Sequence, residues 1–241
     1  MRFTDENSYL FPTGNKNGLI TNETYNIFAD DCTIFIRFTP DLDEYVNRMG
    51  AGDRYHGCVL GKNGMHIGIF FTSFRGGDNK ISYLIGFEYW VDEEDGSKGL
   101  RYMNFPVPES KFGKHFDVTV RRLNDEFIFS VDGQWKRLPA AGLIDYSFNF
   151  LWLGAATRIS ESHNNIYYGD IDKVHIQYGA CDDKDERHFF RKYDKFLETI
   201  NNDTDRQCIF TTDFSRTTEY KIEDQSPNGN HPIKYSKQWL D

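Results

Sequence analysis

Residues 116–133 read FDVTVRRLNDEFIFSVDG, and this stretch decides the fold class. Apolar and polar residues alternate in Phe116–Arg122 and again in Glu126–Val131, which is the period-two pattern of a strand with one buried face. The second run ends at Asp132-Gly133, a dipeptide that favours a tight turn. The stretch therefore predicts β-structure built from short strands.

The same alternation recurs on both sides of this stretch. In the run Cys32–Thr39, residues Ile34, Ile36 and Phe38 share one face, and Pro40-Asp41 ends the strand. Further strands, bounded mostly by Gly, Asn and Asp turns, are predicted at 58–61, 65–71, 81–90, 100–107, 148–154, 169–178 and 207–211. Strands at this spacing are typical of an all-β sandwich or barrel.

One helix is predicted between residues 182 and 200. Its apolar residues recur at three- and four-residue spacing: Phe189, Tyr193, Phe196, Leu197 and Ile200. We expect this stripe to pack on the edge of the sandwich. Because no repeat or linker interrupts the pattern, residues 1–241 are predicted to form a single domain.

Composition and charge narrow the choice of partner. The formal net charge is −9, and the densest basic stretch, 187–195, is interleaved with acidic residues. Nucleic acid and anionic membrane surfaces are therefore poor candidates, whereas neutral glycans, cations and proteins remain open. No run has signal-peptide or membrane-spanning character, so we expect a cytoplasmic protein or a component of a phage or cell-surface assembly.

The four cysteines are predicted to be reduced and mostly buried. They lack CxxC spacing and a nearby histidine cluster, which argues against a zinc site. If the protein is extracellular, two disulfides become an alternative, and their pairing cannot be read from the sequence.

The order of four passages resembles the laminin-G-like, concanavalin A-like jelly-roll family. These passages are residues 31–41, 116–133, 151–154 and 169–176. The resemblance spans roughly residues 25 to 235. It implies an all-β, two-sheet antiparallel jelly-roll sandwich with one short helix in the C-terminal half. The role it most commonly implies is binding of carbohydrate or protein, although the same fold also carries enzymes.

Five residues are candidates for a saccharide site. Trp90 and Trp135 stand at strand ends beside turns, where an aromatic ring can stack on the apolar face of a sugar. Arg37, Glu88 and Arg121 point away from the stronger apolar face of their strands, so they can line an open sheet. A plain solvated outer face explains these three equally well.

Catalysis has weaker support than binding. Glu88, Asp92 and Glu94 have matching strand parity, but the acidic run is interpreted as a solvated turn. His175 and Gln177 share a face without the spacing of polysaccharide lyases. We therefore predict no catalytic residues and a non-catalytic module that binds an oligosaccharide or polysaccharide. The alternatives are a protein-interaction or structural module and a divergent polysaccharide hydrolase or lyase.

The resemblance also implies a structural calcium ion. Several relatives hold Ca²⁺ with an Asp of the late strand, and calcium takes six to eight oxygen ligands. Asp172 occupies the matching position, Asp170 is adjacent, and Asp31 is expected to contribute from the N-terminal side.

Overall fold

The computed structural model describes residues 1–3, 8–10, 27–50, 52–62, 67–144, 151–155, 166–203, 208–216, 225 and 233–235. The dipeptide Asn63-Gly64, which favours a tight turn between the predicted strands 58–61 and 65–71, lies outside these residues. The first half of the predicted strand 148–154 lies outside them as well. The strands within them are β1 Arg2–Phe3, β2 Ser8–Leu10, β3 Cys32–Pro40, β4 Arg54–Lys62, β5 Ile67–Arg75, β6 Ile81–Asp92, β7 Lys98–Pro106, β8 Phe116–Leu123, β9 Glu126–Val131, β10 Gln134–Pro139, β11 Leu151–Leu153, β12 Gly169–Tyr178, β13 Cys208–Asp213 and β14 Ile233–Tyr235.

The strands form two antiparallel sheets. The first sheet has the order β1-β12-β3-β8-β9-β10, and β13 also pairs with β12. The second has the order β14-β2-β11-β4-β5-β6-β7. The all-β, two-sheet antiparallel sandwich predicted from the sequence is confirmed.

The main hydrophobic core lies between the two sheets. The predicted inner residues of β3, Ile34, Ile36 and Phe38, are completely buried in it. The second sheet contributes Phe87 and Tyr89 of β6 to the same core. Because successive residues of a strand point to opposite faces, the alternate residues of β3 point to the outer face of the first sheet.

The predicted turn at Asp132-Gly133 is confirmed, but the chain does not leave the sheet there. Both residues have positive φ, 51° and 83°, which suits a two-residue hairpin loop. The chain returns along β9 as β10, from Gln134 to Pro139, and becomes the edge strand of the first sheet. The sequence analysis missed this strand because its side chains are almost all exposed and carry little alternation.

The helical content differs from the prediction of a single helix. The structure describes α1 Leu42–Met49, α2 Asp183–Arg191 and α3 Tyr193–Asn202. The predicted helix 182–200 is two helices, because Lys192 leaves the helical conformation with φ −143° and ψ 58°. None of these described helices is long and apolar enough to cross a membrane.

Helices α2 and α3 pack on the outer face of the first sheet rather than on its edge. The ring of Phe35 lies 5.4 Å from Phe189 of α2 and 6.3 Å from Phe196 of α3, measured between centroids. His175 of β12 lies 4.7 Å from Phe196. The break at Lys192 lets both helices turn their apolar sides to this surface. They cover β12 and β3, and the outer face becomes exposed towards β10, the edge strand, while Thr119 of β8 and Ser130 of β9 are still buried.

Candidate functional site

One row of side chains crosses the outer face of the first sheet from a buried end to an exposed end. His175, Phe35, Thr119, Ser130 and Trp135 are in register across β12, β3, β8, β9 and β10. His175 and Phe35 are completely buried beneath the helices, whereas Trp135 on the edge strand is 61% exposed. The helix pair therefore ends in the middle of the sheet and forms a wall beside an open floor.

The space between this wall and the open floor is a groove with a volume of about 700 Å³. This volume falls within the range of ordinary ligand sites. Its floor comes from β8–β10 and the turns beside them, and its wall comes from α2. The lining residues are Lys111, His115, Asp117, Thr119, Arg121, Ile128, Ser130, Asp132, Gly133, Trp135, Arg137, Asp183, Glu186, Arg187, Phe190 and Arg191.

Arg121 joins the floor of the groove to its wall. Its Nη1 donates to Asp183 Oδ1 at 2.9 Å, and its Nη2 donates to Glu186. Its guanidinium carbon lies 5.9 Å from the ring centroid of Phe35. Burial raises the pKa of Glu186, and the charge of Arg121 opposes that rise. The sequence candidate Arg121 thus lines the groove, with its charge already engaged by α2.

The remaining acidic residues of the groove are also paired. Arg37 holds Asp117 through two hydrogen bonds, Nε to Oδ1 at 2.6 Å and Nη2 to Oδ2 at 2.9 Å. Lys111 Nζ lies 2.7 Å from Asp132 Oδ2. The candidate Arg37 does not itself line the groove, but it orients the carboxylate of Asp117, which does.

Trp135 offers an open aromatic surface at the far side of the groove. The guanidinium of Arg137 lies 5.0 Å from the ring centroid of Trp135. Arg137 also reaches Glu126 at 3.3 Å, in a pair whose two side chains are half exposed. An exposed indole beside hydroxyl, carboxylate and guanidinium groups suits the mixed apolar and polar surface of a sugar ring.

The other two saccharide candidates lie on the second sheet. Glu88 of β6 is largely buried, and its carboxylate oxygens lie 3.6 Å from His56 Nε2 and 3.9 Å from Arg54 Nη2. Trp90 is half-buried and packs against the core between the sheets. The five predicted residues therefore divide between two faces of the sandwich and do not form one site.

His56 is the centre of a compact polar cluster on that second face. Its Nδ1 lies 2.6 Å from Thr72 Oγ1, and its ring stacks on Phe70 with centroids 4.2 Å apart. Burial, with a smaller contribution from Arg54, lowers the pKa of His56 to about 3. Burial raises the pKa of Glu88. The arrangement keeps the imidazole neutral at ordinary pH.

The weaker catalytic candidates are not gathered into a reactive arrangement. Asp92 is exposed at the end of β6, and Glu94 is exposed in the turn that follows, as the solvated-turn interpretation predicts. His175 and Gln177 are joined by a bond of 2.9 Å between Nε2 and Oε1. Both are buried beneath α2 and α3, so a polysaccharide cannot reach them.

The three carboxylates predicted to bind calcium do not meet at one point. Asp170 is in register with Thr39, eight residues along the chain from Asp31, which corresponds to about 26 Å of extended strand. Asp170 also lies 3.4 Å from Arg2. Among the residues that the structure describes, no group of three or more His, Cys, Asp or Glu side chains could hold a metal ion. The set Asp31, Asp170 and Asp172 thus does not fit a single calcium site, and calcium binding stays a prediction.

Two arginines of the groove were missed by the sequence analysis. Arg187 and Arg191 belong to α2 and line the wall. The sequence does contain a pattern that indicates a shared basic face. Residues four apart on a helix lie on the same face, and these two arginines flank the buried Phe189. Interleaved acidic residues concealed it in the sequence.

Comparisons with known proteins find likeness in structure only. No family model matches the chain, and no curated protein does. A domain of tailspike protein 2 of bacteriophage CBA120, described as enzymatically active, aligns with a TM-score of 0.52 and 10% identity over 90% of this chain and 30% of that chain. Mouse laminin α1 domains LG4-5 align with a TM-score of 0.41 and 12% identity over 75% of this chain and 42% of that chain. A toad ovary galectin in complex with thio-digalactose aligns with a TM-score of 0.33 and 10% identity over 70% of this chain and 98% of that chain.

The chain spans less than half the length of the first two of these structures, and the likeness carries the fold alone. The tailspike alignment covers nine-tenths of this chain and so includes most of its two antiparallel sheets. The chain has the concanavalin A-like jelly-roll sandwich fold.

Proposed function

We propose that this chain is a non-catalytic carbohydrate-binding module, and that the groove between α2 and strands β8–β10 binds an oligosaccharide or polysaccharide. The observation that carries the proposal is Trp135, a large aromatic side chain left 61% exposed at the edge of a polar groove. Burying an indole would stabilise the fold, so its exposure at this position favours a role in contacting a ligand.

The polar lining supports the same assignment. Asp117 and Asp132 supply carboxylates held in place by cations, and the largely buried Ser130 lies on the floor beside them. Fixed acceptors beside an aromatic surface match the alternating hydroxyl groups and apolar faces of pyranose rings. The described lining of the groove contains none of the catalytic candidates considered above, which favours binding over glycoside hydrolysis.

The test is a glycan-array screen of the labelled protein, followed by titration of the best glycan. We expect Trp135→Ala to weaken binding about tenfold or more, in line with about 1.4 kcal/mol of lost stacking and burial. Tyr102→Ala is the matched control, since Tyr102 is 59% exposed on the second sheet, away from the groove. Equal affinities of the two variants would contradict a site at the groove.

A protein-interaction module is the second candidate, and one observation favours it. Leu100 and Tyr102 are exposed on β7, the edge strand of the second sheet. Exposed apolar side chains on an edge strand are typical of a protein contact. A blank glycan array from folded protein, together with a protein partner lost in Tyr102→Ala, would favour this candidate. Release of shortened chains during the titration would instead favour the polysaccharide hydrolase or lyase.

A further inference from the structure

We propose that the saccharide bound in the groove is anionic and carries carboxylate or sulfate groups. This inference rests on the proposed function and names the ligand class of the same site. The observation behind it is that the carboxylates of the groove are paired whereas two of its arginines are not. The groove is therefore locally positive, although the whole chain is negative.

Among the residues that the structure describes, every carboxylate that lines the groove has a cationic partner. Asp117 is held by Arg37 and Asp132 by Lys111, while Arg121 serves both Asp183 and Glu186. The negative charge of the lining is therefore largely neutralised from within the fold.

Two arginines remain on the wall. Arg187 and Arg191 are exposed, and neither has an ion pair with any residue in the described part of the chain. They stand four residues apart on α2, so their side chains are neighbours on one face of the helix. Their surplus positive charge faces Trp135 and Arg137 across the groove.

This arrangement suits an acidic sugar better than a neutral one. A guanidinium group binds carboxylate and sulfate through two parallel hydrogen bonds, whereas neutral hydroxyl groups do not use its charge. Two such groups, one helical turn apart, can each engage an acidic group of the same saccharide. The chain as a whole has a net charge of −9, so an anionic ligand is repelled elsewhere and attracted locally.

A nucleic acid fits the groove less well than an acidic saccharide. The wall exposes two basic residues, Arg187 and Arg191, whereas a protein that binds a nucleic-acid backbone usually neutralises several phosphates. The groove also has a single widely exposed aromatic ring, whereas single-stranded nucleic acids are usually held by several stacking rings.

The experiment compares matched anionic and neutral probes. Oligogalacturonate and its carboxyl-reduced neutral counterpart, and dextran sulfate and dextran, are titrated into the whole chain by calorimetry at low and high salt. A single-stranded oligonucleotide is titrated in parallel. The variants are Arg187→Ala/Arg191→Ala and, as a control with the same loss of charge, Lys184→Ala/Lys195→Ala, whose lysines are exposed on α2 and α3 outside the groove.

We expect at least one anionic probe to bind about tenfold or more tightly than its neutral counterpart. This difference in affinity should fall as the salt concentration increases, because screening weakens interactions between exposed charges. It should be lost in Arg187→Ala/Arg191→Ala and kept in the lysine control. Which of the two anionic probes binds better assigns carboxylate or sulfate as the recognised group.

Three results would overturn the inference. A neutral probe that binds as tightly as its anionic counterpart and loses affinity in Trp135→Ala would leave the proposed function standing and refute the anionic preference. Equal losses in the two double variants would mean a general charge effect rather than a site. The oligonucleotide binding more tightly than every saccharide would refute both the inference and the proposed function.

Discussion

At the scale of single residues, Arg121 is expected to stabilise the fold as well as to line the groove. Its side chain is only 13% exposed and neutralises Asp183 and Glu186 of α2. We expect Arg121→Met to lower the free energy of unfolding by about 1–3 kcal/mol, because it leaves the half-buried carboxylate of Glu186 without its cation. Urea unfolding measures this. Arg121→Met/Glu186→Leu should recover most of the loss, and a double variant no more stable than the single one would contradict the pairing.

His56 makes stability depend on pH. Its pKa is about 3 in the folded protein, below the ordinary value of 6.5, so the unfolded chain takes up a proton that the folded chain excludes. Stability is therefore lost as pH falls from about 6.5 towards 3, with a slope approaching about 1.4 kcal/mol per pH unit. Glu88, whose pKa burial raises, contributes with the opposite sign.

The measurement is urea unfolding at several pH values between 7 and 4. His56→Gln should reduce the slope, since the variant has no imidazole to protonate. His115→Gln, which changes an exposed histidine, should keep the slope of the parent protein. The same slope in all three proteins would show that His56 is not its source.

At the scale of elements, the position of α2 depends on its first turn. The Asp182 side chain accepts a hydrogen bond of 2.7 Å from the backbone nitrogen of Asp185. We expect Asp182→Ala to lower the free energy of unfolding by about 1 kcal/mol, and Asp182→Asn to lower it much less, since Asn also caps helices. Thermal or urea unfolding checks this order, and equal losses in the two variants would argue against the cap.

The elements were predictable to the extent that their residues carry a local pattern. The strand Cys32–Pro40 follows from its alternation, because one of its faces is buried in the core. Helix α1 was missed, although Asp41 accepts a hydrogen bond from the backbone nitrogen of Glu44 and so marks a helix start. The break at Lys192 has no clear local signal, because the apolar spacing continues through it. At this break both helices have apolar residues packed on the same face of the sheet.

At the scale of the whole molecule, the four cysteines report on global unfolding. All are free and buried, as the sequence predicts. Burial raises the pKa of Cys32 to about 12 and that of Cys58 well above its ordinary value, which suppresses the reactive thiolate. We expect almost no reaction with a thiol reagent such as DTNB at pH 8 in the folded state, and four thiols per chain in urea. Rapid labelling without urea would mean that the sandwich opens locally.

The groove could be predicted only in part, because it depends on contacts between distant segments. Trp135 was identified from its place at a strand end and Arg121 from strand parity, and both line it. Trp90 and Glu88 satisfy the same two rules but belong to the other sheet, and neither rule can tell the two sheets apart. The position of α2 beside the floor could not be predicted from the sequence. It depends on the contact between Arg121 and Asp183, which are 62 residues apart in the chain.

The two sides of helix α2 have different roles, and this affects which of its residues can change during evolution. Phe189 faces the sheet and anchors the helix, while Arg187 and Arg191 face the groove and contribute nothing to that anchor. Substitutions on the outward side are therefore nearly silent for folding, so mutation can explore new ligand preferences there without first passing through unstable intermediates. Descendants of this chain would be expected to keep the aromatic anchor and to differ most at the two arginine positions.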